Sequence, residues 1–260
     1  MTLPVVTLKS GKNQSLKRFH PWVFSGAIKH ISQELGEGEL VRVVSNRNEF
    51  LGIGQYQIGS ITVRIITFQD VEIDRRFWKK KLEHAILLRQ SLGLLNNSQT
   101  NVFRLVHGEG DGLPGLIIDF YNGTAVYQAH AVGMYHIRHE MAALLKELLG
   151  DLLMAVYDKS EKTLPFKADI QPQNGYLLGE SEPCIVKENG LSFQVDWIEG
   201  QKTGFFIDQR ENRQLVEQFS KGRDVLNMFC YSGGFSFYAM QGQAKLVHSV
   251  DSSAKAIDLT

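Results

Sequence analysis

The chain has 260 residues, 43% of them apolar and 22% charged, with a formal net charge of zero. This is globular composition, long enough for about two domains, and it excludes a disordered, collagen-like or low-complexity chain. No stretch approaches the roughly 18–20 uncharged apolar residues of a membrane span, the start MTLPVVTLKSGKNQ has no apolar signal-peptide core, and two cysteines, Cys184 and Cys230, cannot build a disulfide framework. A reduced cytoplasm, with no membrane partner, is the expected setting.

The zero net charge hides an asymmetry. Residues 1–81 carry 13 Lys/Arg against 7 Asp/Glu, and the remainder carries 15 against 21. The first acid is Glu34, preceded by Lys9, Lys12, Lys17, Arg18 and Lys29. A basic first module on a mildly acidic body suits a polyanion partner, although a solvated basic face would carry the same charges.

In chain order, residues 5–8, 40–44, 50–56 and 61–68 are rich in β-branched and aromatic side chains, with glycines between them, and predict a small all-β barrel or sandwich over 1–72. Asp74 then caps a helix running to about residue 95, a linker within 73–98. A central α+β domain follows over 99–185. Its expected strands are 102–106, 116–120, 124–129 and 153–157, with Asn122-Gly123 as a hairpin turn and a helix over 134–149. A second hairpin turns at Glu188-Asn189-Gly190. From there to 260 the order helix 208–219, strand 224–228, helix 233–240, strand 244–250 and a further helix from Ser252 predicts the start of a doubly wound α/β sheet of Rossmann type. Asp208 and Glu211 have the form of a capping box on the first of these helices. Only two parallel strands of that sheet are present, so its apolar strands are expected to have an uncovered edge.

The most informative stretch is VLNMFCYSGGF at 225–235, followed by VHSVD at 247–251. An apolar strand ends in a Gly-rich turn that opens a helix, and about twenty residues on a second strand ends in an acid. Gly233 and Gly234 allow close backbone approach, helix N–H groups face the turn, and Asp251 can accept both hydroxyls of a ribose. An adenosine-containing cofactor fits this pattern. There is no G-x-G-x-x-G and no G-K-[ST], which disfavours NAD, FAD and a P-loop. Just upstream, Gln209, Arg210 and Arg213 cluster donors at a helix start.

The segments KTGFFIDQRENR at 202–213 and VLNMFCYSGGFSFYAMQGQAKLVHSVDSS at 225–253, with LKRFHPWVFSGAI at 16–28 and FRLVHGEGDGLPGLIIDFYNG at 103–123, resemble the class I S-adenosylmethionine-dependent ribosomal RNA methyltransferases of the large-subunit, cytosine-5 type. The resemblance spans nearly the whole chain in order. It implies that the first domain is a PUA-like RNA-binding barrel, that the cofactor is S-adenosyl-L-methionine and that the partner is ribosomal RNA, with a homodimer left open. It implies that Phe229, Ser232, Gly233, Gly234 and Phe235 line the cofactor pocket, that Asp251 holds the ribose, and that Phe206, Asp208, Gln209 and Arg210 close over the methionine end. Lys17, Arg18, His20 and Trp22 are the RNA-binding candidates, with Phe24 beside them. The alternating spacing of Trp22 and Phe24 favours barrel core for both, which leaves Lys17 and Arg18 as the better RNA candidates.

The family's chemistry uses a cysteine thiolate to attack carbon 6 of the base, and those cysteines lie in later strands absent from this chain. Cys184 and Cys230 have no neighbouring His or Lys in sequence to activate them and are expected to be structural. The resemblance therefore implies an enzyme whose present 260 residues are inactive alone. A non-enzymatic RNA-binding module on a degenerate cofactor fold, and a nucleotide-cofactor enzyme acting on a small molecule, are the alternatives; the acid-free first 33 residues argue against the second.

Overall fold

The computed structural model describes residues 3–165 and 170–260, and the chain forms two compact units. The first comprises residues 1–89, 104–119 and 123–180; the second comprises 90–103, 120–122 and 181–260.

The first unit opens with β1 (Val5–Leu8), α1 (Gln14–Lys17), β2 (Trp22–Phe24), β3 (Ile28–Ile31), β4 (Leu40–Val44), β5 (Phe50–Tyr56) and β6 (Ile61–Thr67). These strands make one sheet in the order β2-β6-β5-β4-β1-β3. β1 runs parallel to β4 and antiparallel to β3. Val6 and Leu8, near one edge, share a core with Val23 at the other and with Val41, Val43, Val63 and Ile65 between. A sheet whose two edges reach one core is curled, and this is the form the expected barrel takes. Two of its strands, β2 and β3, are absent from the sequence expectation; each is short and is held by its partners, β6 and β1. Phe24 is not barrel core: it is 48% exposed. A shift of register at Val23/Phe24 breaks the alternation that placed it inside.

Helix α2 (Arg75–Ser91) begins as expected, with the Asp74 carboxylate accepting the Phe77 N–H at 2.8 Å. It ends at Ser91, short of residue 95. β7 (Val102–His107), β8 (Leu116–Tyr121), β9 (Thr124–Ala129), α3 (Val132–His136), α4 (Arg138–Leu149), β10 (Ala155–Asp158) and β11 (Gly175–Leu178) follow. The strands form a five-stranded sheet in the order β11-β10-β9-β8-β7. Asn122 (φ 44°) and Gly123 (φ 101°) both have positive φ, as the tight turn between β8 and β9 requires. The helix expected over 134–149 is two helices meeting at Ile137. Here the Arg138 guanidinium stacks 3.9 Å from the Tyr135 ring centroid and bonds the Tyr135 carbonyl at 2.9 Å. Met141, Leu144, Leu145 and Leu149 of α4 are buried at helical spacing.

In the second unit, β12 (Cys184–Glu188) and β13 (Leu191–Val195) form an antiparallel hairpin. α5 (Arg210–Phe219), β14 (Asp224–Met228), α6 (Gly234–Gln241), β15 (Leu246–Val250) and α7 (Ala254–Leu259) complete it. β14 and β15 are parallel, with Asp224 opposite Leu246 and Met228 opposite Val250. With α6 between them they are the expected βαβ unit. The expected capping box is not formed. Residues Ile207–Gln209 make a 3-10 turn, the α-helix starts only at Arg210, and its N-cap residue, Gln209, makes no side-chain cap bond. Leu226, Met228, Leu246 and Val250 are exposed on β14 and β15. Parallel strands are usually covered on both faces.

Candidate functional site

The carboxyl ends of β14 and β15 and the loop before α5 enclose a cavity of about 720 Å³ within the second unit. Its size and position, outside the ends of parallel strands, are those of a small-molecule site. The turn from β14 into α6 is unusual backbone. Phe229 (φ 60°), Tyr231 (φ 49°) and Gly233 (φ 73°) alternate in the left-handed region. Only Gly233 adopts that conformation without a side-chain penalty. Phe229 is also 84% exposed. A strained, exposed aromatic at a cavity mouth is the kind of local cost retained at ligand sites.

Asp251, at the end of β15, stitches the turn. Its Oδ2 accepts the Tyr231 N–H and its Oδ1 the Ser253 N–H, both at 2.9 Å. These bonds, Ser253 first, hold its carboxyl below the usual carboxylate range. An ionised carboxylate has about four acceptor sites. The Ser252 N–H also acts on it, so part of that acceptor capacity is left facing the cavity.

The opposite wall is the loop 196–209. Tyr231 fixes it: its hydroxyl accepts the Gln201 N–H at 3.1 Å and donates to the Gly204 carbonyl at 3.3 Å, and its ring meets Phe206 edge-on at 5.2 Å. The Lys202 ammonium lies 4.4 Å from the Phe206 ring centroid and 3.8 Å from the Asp208 carboxylate. Lys255 of α7 pairs with Glu199 and, at 3.5 Å, with Asp196. Aromatic walls, a carboxylate and both charge signs at the loop end are a set of groups that fits a nucleoside carrying an amino acid.

Of the ten cofactor residues expected from sequence, Phe206, Asp208, Gln209, Phe229, Ser232, Gly234, Phe235 and Asp251 line this one cavity. Arg210 does not. Its guanidinium turns to the buried Glu188 carboxylate at 3.2 Å and to the Val102 carbonyl. Gly233 does not line it either. A Cβ there would fall 2.7 Å from Thr260 Cγ2, and one on Gly234 would fall 3.1 Å from Arg213 Cδ, so both glycines make room for protein side chains.

Arg213, one turn beyond Arg210, is the arginine that reaches the cavity wall. It is 2% exposed. Its Nε and Nη2 donate to Glu188 at 2.8 Å each, its Nη1 donates to the Phe206 carbonyl at 3.0 Å, and its guanidinium stacks 4.7 Å from the Phe205 ring centroid. Glu188 also accepts from the Tyr238 hydroxyl at 3.0 Å. The sequence showed Glu188 only as a hairpin residue; no local pattern marks it as the acceptor of two arginines.

Among the described residues, neither cysteine is hydrogen-bonded to an activating base. Cys230 is buried, its Sγ 3.9 Å from the Tyr231 carbonyl and from Thr260 Oγ1. Burial pushes the Cys184 thiol up, which lowers its thiolate fraction. Among the described residues no cluster of His, Cys, Asp or Glu could hold a metal, and no helix is long and apolar enough to cross a membrane.

In the first unit Lys17, Arg18 and His20 are exposed at and just after the end of α1. Trp22 is half-buried, its indole N–H donating to Glu109 at 2.8 Å and its ring edge-on to His20 at 5.4 Å. The three exposed side chains and Trp22 thus lie along one stretch of chain, and the Trp22 donor is already used.

Two family models match the chain: a PUA-like domain over residues 6–68 and an S-adenosylmethionine-dependent methyltransferase over residues 104–258. Among curated proteins, the ribosomal RNA large subunit methyltransferase I of Alteromonas mediterranea is 39% identical over 257 residues, and that of Tolumonas auensis is 38% identical over 259. Each match covers 98% of this chain, and the chain spans 64% of the length of each of these relatives. A solved structure of a candidate S-adenosylmethionine-dependent methyltransferase from Streptococcus mutans superposes over the whole chain and 65% of its own, with a TM-score of 0.83 at 24% identity. A candidate methyltransferase complexed with SAH gives the same values. These two likenesses establish the fold.

Proposed function

The chain belongs to the S-adenosylmethionine-dependent methyltransferase family, and from that premise we propose that it binds S-adenosylmethionine and ribosomal RNA for an enzyme that methylates carbon 5 of a cytosine in the large subunit, in the cytoplasm. The observation that carries this reading is the gathering of eight expected cofactor residues around one nucleoside-sized cavity. Asp251 would hold the ribose, Phe229 and Phe235 would flank the nucleoside, and Phe206 with Asp208 and Gln209 would lie at the amino-acid end. The bound donor supplies an electrophilic methyl group on a sulfonium. The PUA-like match at 6–68 and the basic run before Glu34 support RNA as the partner.

The 260 residues alone are expected to transfer no methyl group. Carbon 5 of cytosine is a poor nucleophile until a thiolate adds to carbon 6. Cys230 is a buried residue of the β14–α6 turn at the wall of the cofactor cavity, and Cys184 lies on the hairpin strand β12 with its thiol pushed up. Tritium transfer from labelled S-adenosylmethionine to large-subunit RNA lacking the modification tests this, with a full-length relative as positive control. The relative should label carbon 5 of cytidine and the chain should label nothing. Labelling by the chain that disappears in Cys230→Ala would make Cys230 the nucleophile; labelling of another base or atom would overturn the cytosine-5 reading.

RNA binding by the barrel should weaken as salt rises, because phosphate contacts release counterions. Replacing Lys17 and Arg18 together by alanine should lower the slope of log affinity against log salt by about 1–2, at roughly 0.7–0.9 per contact. An unchanged slope would mean that these side chains are merely solvated.

A further inference from the structure

A cavity of about 890 Å³ in the first unit adjoins the segment that carries the RNA reading above, through Phe19 and Pro21, and lies between the β6 end of the barrel and helix α2. Its walls are aromatic and basic. Phe19 is 71% exposed and held in the left-handed region (φ 61°), with its ring edge-on to Phe68 at 5.2 Å. Phe77 of α2 also lines the groove, and the Lys81 ammonium sits 5.5 Å from its ring centroid. Arg76, Lys80 and His84 recur every four residues along α2 and form one stripe.

None of Arg76, Lys80, Lys81 and His84 has an ion-pair partner among the described residues. Lys81 is partly buried, which pushes its ammonium below the ordinary lysine value. It lies against Gly112, where a Cβ would come within 2.8 Å of its Nζ. Three acids also line the groove: Glu72, Asp74, which caps Phe77, and Glu109, which accepts the Trp22 indole. A row of cations with no ion pair among the described residues, beside the exposed Phe19 ring, complements one kind of ligand, a flat base on an anionic backbone.

We propose that the groove between β6 and α2 takes an unpaired nucleotide of RNA, its base against Phe19, Phe68 and Phe77 and its phosphates along Arg76, Lys80 and His84. The proposal rests on the RNA-binding reading and extends it to α2, beyond the segment that matches a PUA-like domain. It selects unpaired RNA over duplex, because a base in a duplex has no free face to offer the rings.

Titrating the chain into a short single-stranded oligoribonucleotide carrying one 2-aminopurine tests it, with the matching duplex alongside. Anisotropy reads affinity, and 2-aminopurine emission reads stacking. The single strand should bind more tightly than the duplex and its emission should be quenched. Phe19→Ala should weaken single-strand binding by roughly 5- to 160-fold, the range of one lost base–aromatic stack, and relieve the quenching. Arg76→Ala with Lys80→Ala should reduce the single-strand salt slope by about 1.4. All three side chains are exposed, so the variants keep the fold. If these variants leave affinity, quenching and slope unchanged while the Lys17/Arg18 pair still matters, the groove proposal fails and the RNA reading stands. If the unaltered chain binds neither RNA, both fail.

Discussion

Replacing Glu188 by alanine should cost about 3–5 kcal/mol of stability, the range for removing one partner of a buried ion pair. Glu188 is fully buried at the end of β12 and is the shared acceptor of Arg213, Arg210 and Tyr238. Without it the Arg213 guanidinium, itself buried, has no counter-charge, and Arg210 loses the same carboxylate. Urea unfolding, followed by the shift in midpoint at constant slope, measures the loss. Glu188→Gln keeps an acceptor but not the charge and should fall between the two. The same change should reach the cavity, because Arg213 holds the Phe206 carbonyl and packs against Gly234. Cofactor affinity should therefore drop in Glu188→Gln under conditions where the variant is still folded. A Glu188→Ala protein as stable as the parent would mean that the cluster is not the tie between the hairpin and α5.

Replacing Asp251 by alanine should weaken S-adenosylmethionine binding on the order of 10- to 100-fold, the range for hydrogen bonds to a charged acceptor. Two effects are mixed in that figure, since Asp251 also fixes the turn through the Tyr231 N–H. A 2′-deoxy cofactor analogue separates them. The parent should discriminate against the analogue and Asp251→Ala should not, a coupling that a loosened turn alone does not produce. The pH dependence has a definite sign. The Asp251 carboxyl is held below its ordinary value of about 3.9. The charge is therefore in place throughout the neutral range, and its contribution is lost only as pH falls through that depressed value. Calorimetry with NAD is the complementary control; tight binding of NAD would point to a different cofactor class.

Most of the residues expected at the cofactor site meet at one cavity because they are close together in the chain. Phe229, Ser232, Gly234 and Phe235 lie in one turn between an apolar strand and a helix, and Asp251 ends the next strand. The βαβ connection then brings the two strand ends side by side, Met228 opposite Val250. Arg210 and Arg213 mark the limit. Both are donor-rich positions on one helix start, and nothing within the helix says which faces the cavity. Glu188, 22 and 25 residues earlier, decides that by drawing both guanidiniums inward. The expected capping box failed for a similar reason: its residue types were present, but the backbone took a 3-10 turn over Ile207–Gln209 instead.

Strands such as Val5–Leu8, Leu40–Val44, Phe50–Tyr56, Thr124–Ala129 and Asp224–Met228 were fixed by sequence alone, because a β-branched run bounded by turn residues specifies both period and length. So were the Asn-Gly turn after β8 and the start of α2 at Asp74, where one side chain satisfies a particular backbone geometry. The tertiary structure alone decided what depended on partners far along the chain. The three- and four-residue strands β2 and β3 exist through pairing with β6 and β1, Phe24 was turned outward by a shift in register, and the groove under Phe19 was closed by a helix some sixty residues later. Local propensity acts over a few residues, whereas burial and charge pairing act between whichever residues the fold brings together.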